Sequence, residues 1–487
     1  MSNLQQWQQK IQAKRKQTPW RQFMMEIVSW KPVMFYRNSG MISIYPPERV
    51  PKVYRSSDYN TSHSEDVWED FFKSFDSLIT HTWYTNLAQI QSENCDYADT
   101  VVRSKNAYLS SVVINECENV VYSSSVKDKS ANVFNSMMVW KNSENVYHSR
   151  TVISWFNIFY SNNILNSNNI WFSSNLVGCA ECIKCDDLEN KSYCFENKEY
   201  SKEEYTQKKA EFLLTLVQQE ADFYYPASHN IWGSGVQGQS NIECFDVSNA
   251  YFSYNTKNAH NIFLHGSAQG SENSYDCFTG GSPYSQYMYG VMGAGAAEHV
   301  YCSVFVNGGS SNIYYCINME ACSFCLGCIG LQNKSYCILN KQYSKEERYD
   351  KVNEIFWRME TDWVLWLFFP WSLNPFYFND TAAYLIDPSF TKEEVTVAWY
   401  LWRDEPIKVD IPIWAEIVKV SELGQFESRD GEGTWTIDSS ILKKVIVDEQ
   451  GNSYRIVKME YDFLVKHSLP LPRKHRLERM KENFRIN

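Results

Sequence analysis

Asn106-Ala-Tyr-Leu-Ser110, Asn119-Val-Val-Tyr-Ser123, Asn157-Ile-Phe-Tyr-Ser161 and Asn169-Ile-Trp-Phe-Ser173 are copies of one phrase: an asparagine, a few apolar or aromatic residues, then a serine. The phrase starts at Asn94, Asn106, Asn119, Asn132, Asn145, Asn157 and Asn169, in steps of 12 or 13. It resumes at Asn249, Asn261, Asn273, Gln286, His299 and Asn312 with the same steps. Short runs rich in Val, Ile, Tyr, Phe and Trp, punctuated by Asn and Ser at a fixed period, predict a β-solenoid. Asn suits the corners, because it tolerates left-handed backbone angles and stacked Asn amides can bond from coil to coil. A coil of about 25 residues, two phrases, is favoured, since a two-sided coil of one phrase would be too small to enclose so many rings. The smaller coil, of 12 or 13, stays open if the aromatics form outward ladders.

Each array closes on the same sentence. The first reads Cys179-Ala-Glu-Cys-Ile-Lys-Cys185, then Asn190-Lys-Ser-Tyr-Cys194, then Asn197-Lys-Glu-Tyr-Ser-Lys-Glu-Glu204; the second reads Cys322-Ser-Phe-Cys-Leu-Gly-Cys328, Asn333-Lys-Ser-Tyr-Cys337 and Asn340-Lys-Gln-Tyr-Ser-Lys-Glu-Glu347. One constant offset relates every matching pair, Cys179 to Cys322 as Asn190 to Asn333 and Ser201 to Ser344, so one array plus one cap has been duplicated in tandem. Ser201 and Ser344, each with Glu three residues on, open helical patterns with a capping-box signature, and each helix is expected to terminate its array. The fold expected is mainly β: two tandem β-solenoid arrays, each closed by a Cys-rich cap and a helix, flanked by small α+β terminal modules. Four modules follow: 1–90, 91–222, 223–360 and 361–487.

The caps hold Cys179, Cys182, Cys185 and Cys194, then Cys322, Cys325, Cys328 and Cys337, spaced Cys-x2-Cys-x2-Cys-x8-Cys. Four thiolates so spaced could bind zinc, or less naturally an iron–sulfur cluster. Yet Cys182 and Cys325 stand thirteen residues after Asn169 and Asn312, in register with the repeat, where free cysteines would pack as small core residues. The core reading is preferred, no cofactor is expected, and zinc stays possible.

The cap sentence resembles one found in uncharacterised cysteine-rich repeat proteins of candidate-phyla bacteria (Patescibacteria). The likeness extends to Phe369-Pro-Trp-Ser-Leu-Asn-Pro-Phe376 and Leu385-Ile-Asp-Pro-Ser-Phe-Thr391, similar to that family's linker. Ile437-Asp-Ser-Ser-Ile-Leu442, Tyr454-Arg-Ile456 and Leu469-Pro-Leu-Pro-Arg473 resemble its carboxy-terminal zinc-ribbon-like segment, and Ser39-Gly-Met-Ile-Ser43 with Tyr45-Pro-Pro47 a zinc-knuckle-like one. Where the family's knuckles carry Cys-x2-Cys, this chain has Tyr36 and Ser39 in front and approximately Val447 and Gln450 behind, so zinc in the flanking modules is not expected. The resemblance brings no established activity.

Composition bounds the rest. The 487 residues include 17 Trp, 32 Tyr, 27 Phe, 14 Cys and 39 Asn, which excludes a chain disordered as a whole. No apolar run approaches a membrane span, and Met1 to Trp7 does not open a secretory signal, so a cytoplasmic protein with reduced thiols is expected, with a place in a larger particle left open. The net charge is −11, yet both ends are basic. Lys10, Lys14, Arg15, Lys16 and Arg21, with Arg473, Lys474, Arg476, Arg479 and Lys481, could hold nucleic acid or another partner, or pair with the acidic body. Asp96, Asp99, Asp186 and Asp187 are acidic residues within the arrays, and His299 with Cys302 could be a Cys–His pair; neither set forms a known catalytic motif. The expected function is a non-catalytic structural or interaction protein presenting a rigid solenoid surface to a protein, a glycan or copies of itself. A nucleic-acid or ribosome-associated binder and a β-helix carbohydrate-active enzyme are the alternatives. The Gly-rich run Gly280–Gly295 is the expected outward loop or binding edge, or else an ordinary irregularity.

Overall fold

Every third residue of the first array is left-handed, and this sets the coil. Asn106, Leu109, Val112, Asn115 and Asn119 have φ of 56, 46, 56, 67 and 56° in a computed structural model of the chain. Each left-handed residue turns the backbone, so every third side chain points inward and a coil closes after four such steps. Lys105–Tyr108 pairs in parallel with Glu118–Val121, one phrase on, and Ser111–Ile114 pairs with Ser124–Lys127. One coil is therefore a single phrase with two strands, not two phrases. Where a coil is one residue longer, the extra residue is a second consecutive left-handed position, as at Asn115–Glu116, Asp128–Lys129 and Lys141–Asn142. The structure describes residues 3–31, 70–81, 89–221, 223–226, 228–281, 284–374, 376–404, 411, 413–429 and 435–486. The front zinc-knuckle-like segment, with Tyr36 and Ser39, lies outside them.

The small coil works because its interior is not aromatic. One wall stacks Val101, Val113, Val126, Val139, Val152, Ile164 and Leu176 in register; the other stacks Ala107, Val120, Val133, Val146, Ile158 and Ile170. All of these are buried. Between the walls run serines. Ser123, Ser136, Ser149 and Ser161 each donate an amide N–H to the Ser hydroxyl one coil below, at 3.0 to 3.1 Å, and each hydroxyl donates to a carbonyl two residues back. Every one of these inward hydroxyls is thus engaged as a donor, and those of Ser123, Ser136 and Ser149 also accept from the coil above, as a buried hydroxyl requires.

The aromatics face outward. Phe159 and Trp171 lie 4.3 Å apart and Tyr160 stacks on Phe172 at 4.6 Å. In the second array Tyr275, Tyr289, Tyr301 and Tyr314 form a ladder at 5.1 to 5.3 Å. The Asn amides bond from coil to coil as the repeat predicts: Asn106 to Asn119, Asn119 to Asn132, Asn132 to Asn145, Asn145 to Asn157 and Asn157 to Asn169, at 2.8 to 3.1 Å. These asparagines sit within four-residue strands and not at corners, since the left-handed residue is part of each strand.

Residue contacts group the chain into two compact units: Met1–Asn86 with His229–Asp404, and Leu87–Ser228 with Glu405–Asn487. The amino-terminal segment thus belongs with the second array and the carboxy-terminal segment with the first, an arrangement that four successive modules do not anticipate. The reason is the outward rings, which need cover. Helix Lys458–His467 lays Phe463 against Phe134 and Tyr147, while Trp366 and Phe356 cover Tyr301 and Tyr314 in the other unit.

The two cap helices carry the expected boxes at Ser201–Glu204 and Ser344–Glu347. They lie along outer aromatic faces, Phe212 against Phe172 and Phe195. A short antiparallel return, Cys194 with Glu199 and Cys337 with Gln342, ends each ladder. Within the Gly-rich run, Ser285–Ala294 is more regular than expected, a strand paired on both sides. The wide coil precedes it, where fifteen residues separate Asn261 from its ladder partner Asp276.

Candidate functional site: the cap thiols and the basic ends

The period of three places every cap cysteine inside. Cys182 and Cys194 extend the column of Ile158 and Ile170, and Cys325 stacks on Ile313. Cys185 takes a serine place: its N–H donates to Ser173 Oγ at 3.0 Å, its thiol donates to the Ile183 carbonyl at 3.3 Å, and its sulfur accepts from Asn197 N at 3.4 Å. Cys328 repeats this with Cys316, Leu326 and Asn340. The sequence motif thus brings four thiols of each array together around Cys182 or Cys325. Proton sharing among the crowded thiols keeps the central Cys182 protonated, its pKa pushed far up, and draws Cys179 and Cys185 down; Cys325 is likewise pushed up and Cys322 drawn down.

All fourteen cysteines are free and buried. Among the described residues, no group of three or more His, Cys, Asp or Glu side chains is arranged to hold a metal ion. The thiols fit the packing and hydrogen-bonding places of Val, Ile and Ser, and a tetrahedral thiolate site would break those bonds. Protein purified without added zinc is expected to carry less than about half an equivalent per array and to keep its unfolding midpoint in a chelator; a stoichiometric metal lost together with stability would overturn this reading.

The basic ends are compensated within their own units. Arg15 is buried and pairs with Glu26 and Asp276 at 3.1 and 3.2 Å, Arg21 engages Asp387 and Glu394, and Lys10 engages Glu360. Lys14 donates to the Leu365 carbonyl at 3.2 Å. At the other end Arg479 meets Glu460 at 2.7 Å, Arg473 meets Glu427 at 2.8 Å, Lys474 meets Glu482 and Lys481 meets Glu478, each at 2.7 Å. Arg476 begins the last helix, and Lys16 is exposed just after the first.

Burial raises the Glu220 carboxyl to about 7, against opposing pulls from Arg473, Lys474 and Arg479. A carboxyl raised in the folded state lends stability at low pH that is lost as pH climbs from its unfolded value to about 7. Glu220→Gln is therefore expected to flatten the stability profile between about pH 5 and 8 and to add about 2 kcal/mol at pH 8, read by urea unfolding. An unchanged slope would refute it.

The acidic candidates do not form a pair. Asp99 accepts from Thr100 Oγ1, Asp186 accepts from Asn175 in a polar ladder, and Asp96 and Asp187 are exposed. His299 stacks on Tyr287 at 4.7 Å and shares a hydrogen bond with the Tyr301 hydroxyl, while Cys302 lies beside Arg15 at 3.9 Å. They occupy successive left-handed positions and answer to different neighbours. In the carboxy-terminal segment the turn at Val447–Gln450 is closed by Asp448, which accepts from Gln450 N, Asn452 N and Asn452 Nδ2 at 3.0, 2.7 and 3.1 Å. One carboxylate organises the loop where a knuckle would use a metal.

Sequence reasoning passed over a set of exposed tryptophans. Trp357, Trp363 and Trp399 are 62, 88 and 66% exposed, and Trp371 stacks on Trp399 at 5.5 Å. Trp363 and Trp399 follow the caps of helices Lys345–Thr361 and Lys392–Val397 with φ of 58 and 66°, where glycine is the low-energy choice. The signal was present, as tryptophans just beyond two helix ends, but burial was the default expectation.

Fold and site together define a protein of two parallel β-solenoid arrays with thiol-lined ends, and no helix of the described residues is long and apolar enough to cross a membrane. Comparison with protein-family models, with curated proteins and with solved structures finds no match in any of the three.

Proposed function

We propose that the chain is a non-catalytic interaction protein: two rigid solenoid arrays that present exposed tryptophans to a macromolecular partner. One observation carries this reading, the exposed indoles of Trp363 and Trp399 at backbone angles that disfavour any bulky residue. Within the arrays such angles are offset by ladder bonds and burial, as at Leu109 and Val112; at these two helix ends the cost, of order 1 kcal/mol per site, is met by no burial of the side chain. Exposed aromatic patches mark interaction sites more often than chance exposure does. The arrays support the same reading, because their inward serines and thiols and outward asparagines are occupied with one another. Fourteen buried free thiols fit a reducing, cytoplasmic setting. Nucleic-acid binding through the ends has less support, since seven of the ten candidate cations engage carboxylates of their own chain.

The test is Trp363→Gly with Trp399→Gly. Glycine relieves the backbone, so the folded state should hold or gain about 1 kcal/mol. The tagged wild-type chain, drawn gently from cells that make it, should elute in a particle larger than two copies of itself, and the double variant as the chain alone, no larger than a dimer. Identical elution of the two would sink the reading.

A further inference from the structure

The two ends of the second array are built differently. Its last strands turn back on themselves and run into the capped helix Lys345–Thr361. Its first strand, Ser234–Gln239, pairs with Phe245–Tyr251 on one side, and among the described residues no strand pairs with the other. Ser234, Gly235 and Gln237 are exposed. Sheet edges in natural proteins are guarded by Lys, Pro, inward charges, β-bulges or a covering helix; here the register slips between Val236 and Gly238, and the Asn230 amide donates to the Gly238 carbonyl at 3.0 Å. This edge has none of the charges: residues 223–242 contain no Asp, Glu, Lys or Arg, in a chain that is 21% charged. Nor is the end hollow. A Cβ on Gly233 would meet the Cys244 carbonyl oxygen at 2.4 Å and one on Gly238 the Ala250 carbonyl oxygen at 1.8 Å, so both glycines let the first coil sit flat on the second. Beside it Trp232 and Phe245 are 49 and 38% exposed.

We propose that this edge is where two copies of the chain join, the strand at residues 234–237, before the Asn230–Gly238 bond, pairing with its own counterpart, antiparallel, about a two-fold axis. A neutral edge meets its copy without like-charge repulsion, which favours self-pairing. The capped far end bars head-to-tail growth, so the arrangement that covers both open edges and leaves nothing to extend is the closed, isologous one. Trp232 and Phe245 add apolar area at the seam. The edge is separate from the Trp363 and Trp399 positions and rests on different residues.

Sedimentation of the full chain from about 1 to about 100 μM should show a monomer giving way to a dimer, as a micromolar contact requires. Ser234→Lys with Gln237→Lys places repelling cations on both copies at exposed positions and should leave a monomer at every concentration with an unchanged unfolding midpoint. Leu214→Lys, at an exposed site in the other unit, and the Trp363→Gly, Trp399→Gly variant should both dimerise like the parent. A parent that stays monomeric, a dimer that survives the two lysines, or growth beyond the dimer would each overturn the proposal.

Discussion

Arg479→Met is expected to destabilise the unit containing the first array by about 3–5 kcal/mol, measured as a lower urea midpoint of that unit's transition. Arg479 and Glu460 meet at 2.7 Å with side chains 1 and 0% exposed, and the Tyr147 hydroxyl lies 3.5 Å from the same carboxylate oxygen. The guanidinium also lies over the Tyr122 ring at 5.2 Å. Removing the cation alone leaves a carboxylate in a wall of rings with no counter-charge. The pair was costly to bury and is retained because both halves are present, so Glu460→Leu added to Arg479→Met should restore most of the loss. Recovery in the double variant separates charge burial from packing damage; a single variant within about 1 kcal/mol of the parent would mean that water reaches the site. The transition of the unit holding the second array should not move, since neither residue belongs to it.

Asn132→Leu should cost about 3 kcal/mol, and Asn132→Gly about 2 kcal/mol. The amide accepts from Asn119 at 2.9 Å and donates to Asn145 at 3.1 Å, and its backbone sits at φ 54°. Either substitution breaks two hydrogen bonds of about 1 kcal/mol each and leaves half-buried partners unpaired. Leucine adds the left-handed penalty of about 1 kcal/mol, which glycine escapes. The difference between the variants therefore measures the backbone part alone. Equal losses would show that asparagine is present for its amide only. The comparison bears on the whole fold, because the left-handed angle recurs at every third residue of the array.

Much of this architecture is legible along the chain. The period of the phrase, the two arrays, the constant offset between their caps and the capping boxes at Ser201 and Ser344 all rest on local properties: strand preference, left-handed tolerance and helix capping. The cysteines were readable as core residues, but in a register one residue off: thirteen residues from Asn169 and Asn312 is the outward asparagine place in a coil of thirteen, whereas the coils here take twelve, so Cys182 aligns with Ile170 and Cys325 with Ile313. What misled was volume. Rings are large, and placing them inside called for a coil of two phrases; the inward column is in fact Val, Ile, Ser and Cys. A period of three was visible in Cys179, Cys182 and Cys185, and it names the inward positions once each left-handed residue is known to turn the chain.

By itself the sequence determines the repeat, its duplication and the chemistry of each ladder, since these depend on neighbours one left-handed step or one coil away along the chain. Tertiary structure alone decides which flanking segment covers which array and which carboxylate meets each basic residue, because Arg15 and Asp276, or Tyr147 and Glu460, are brought together across hundreds of residues by the need to cover outward rings and neutralise buried charge.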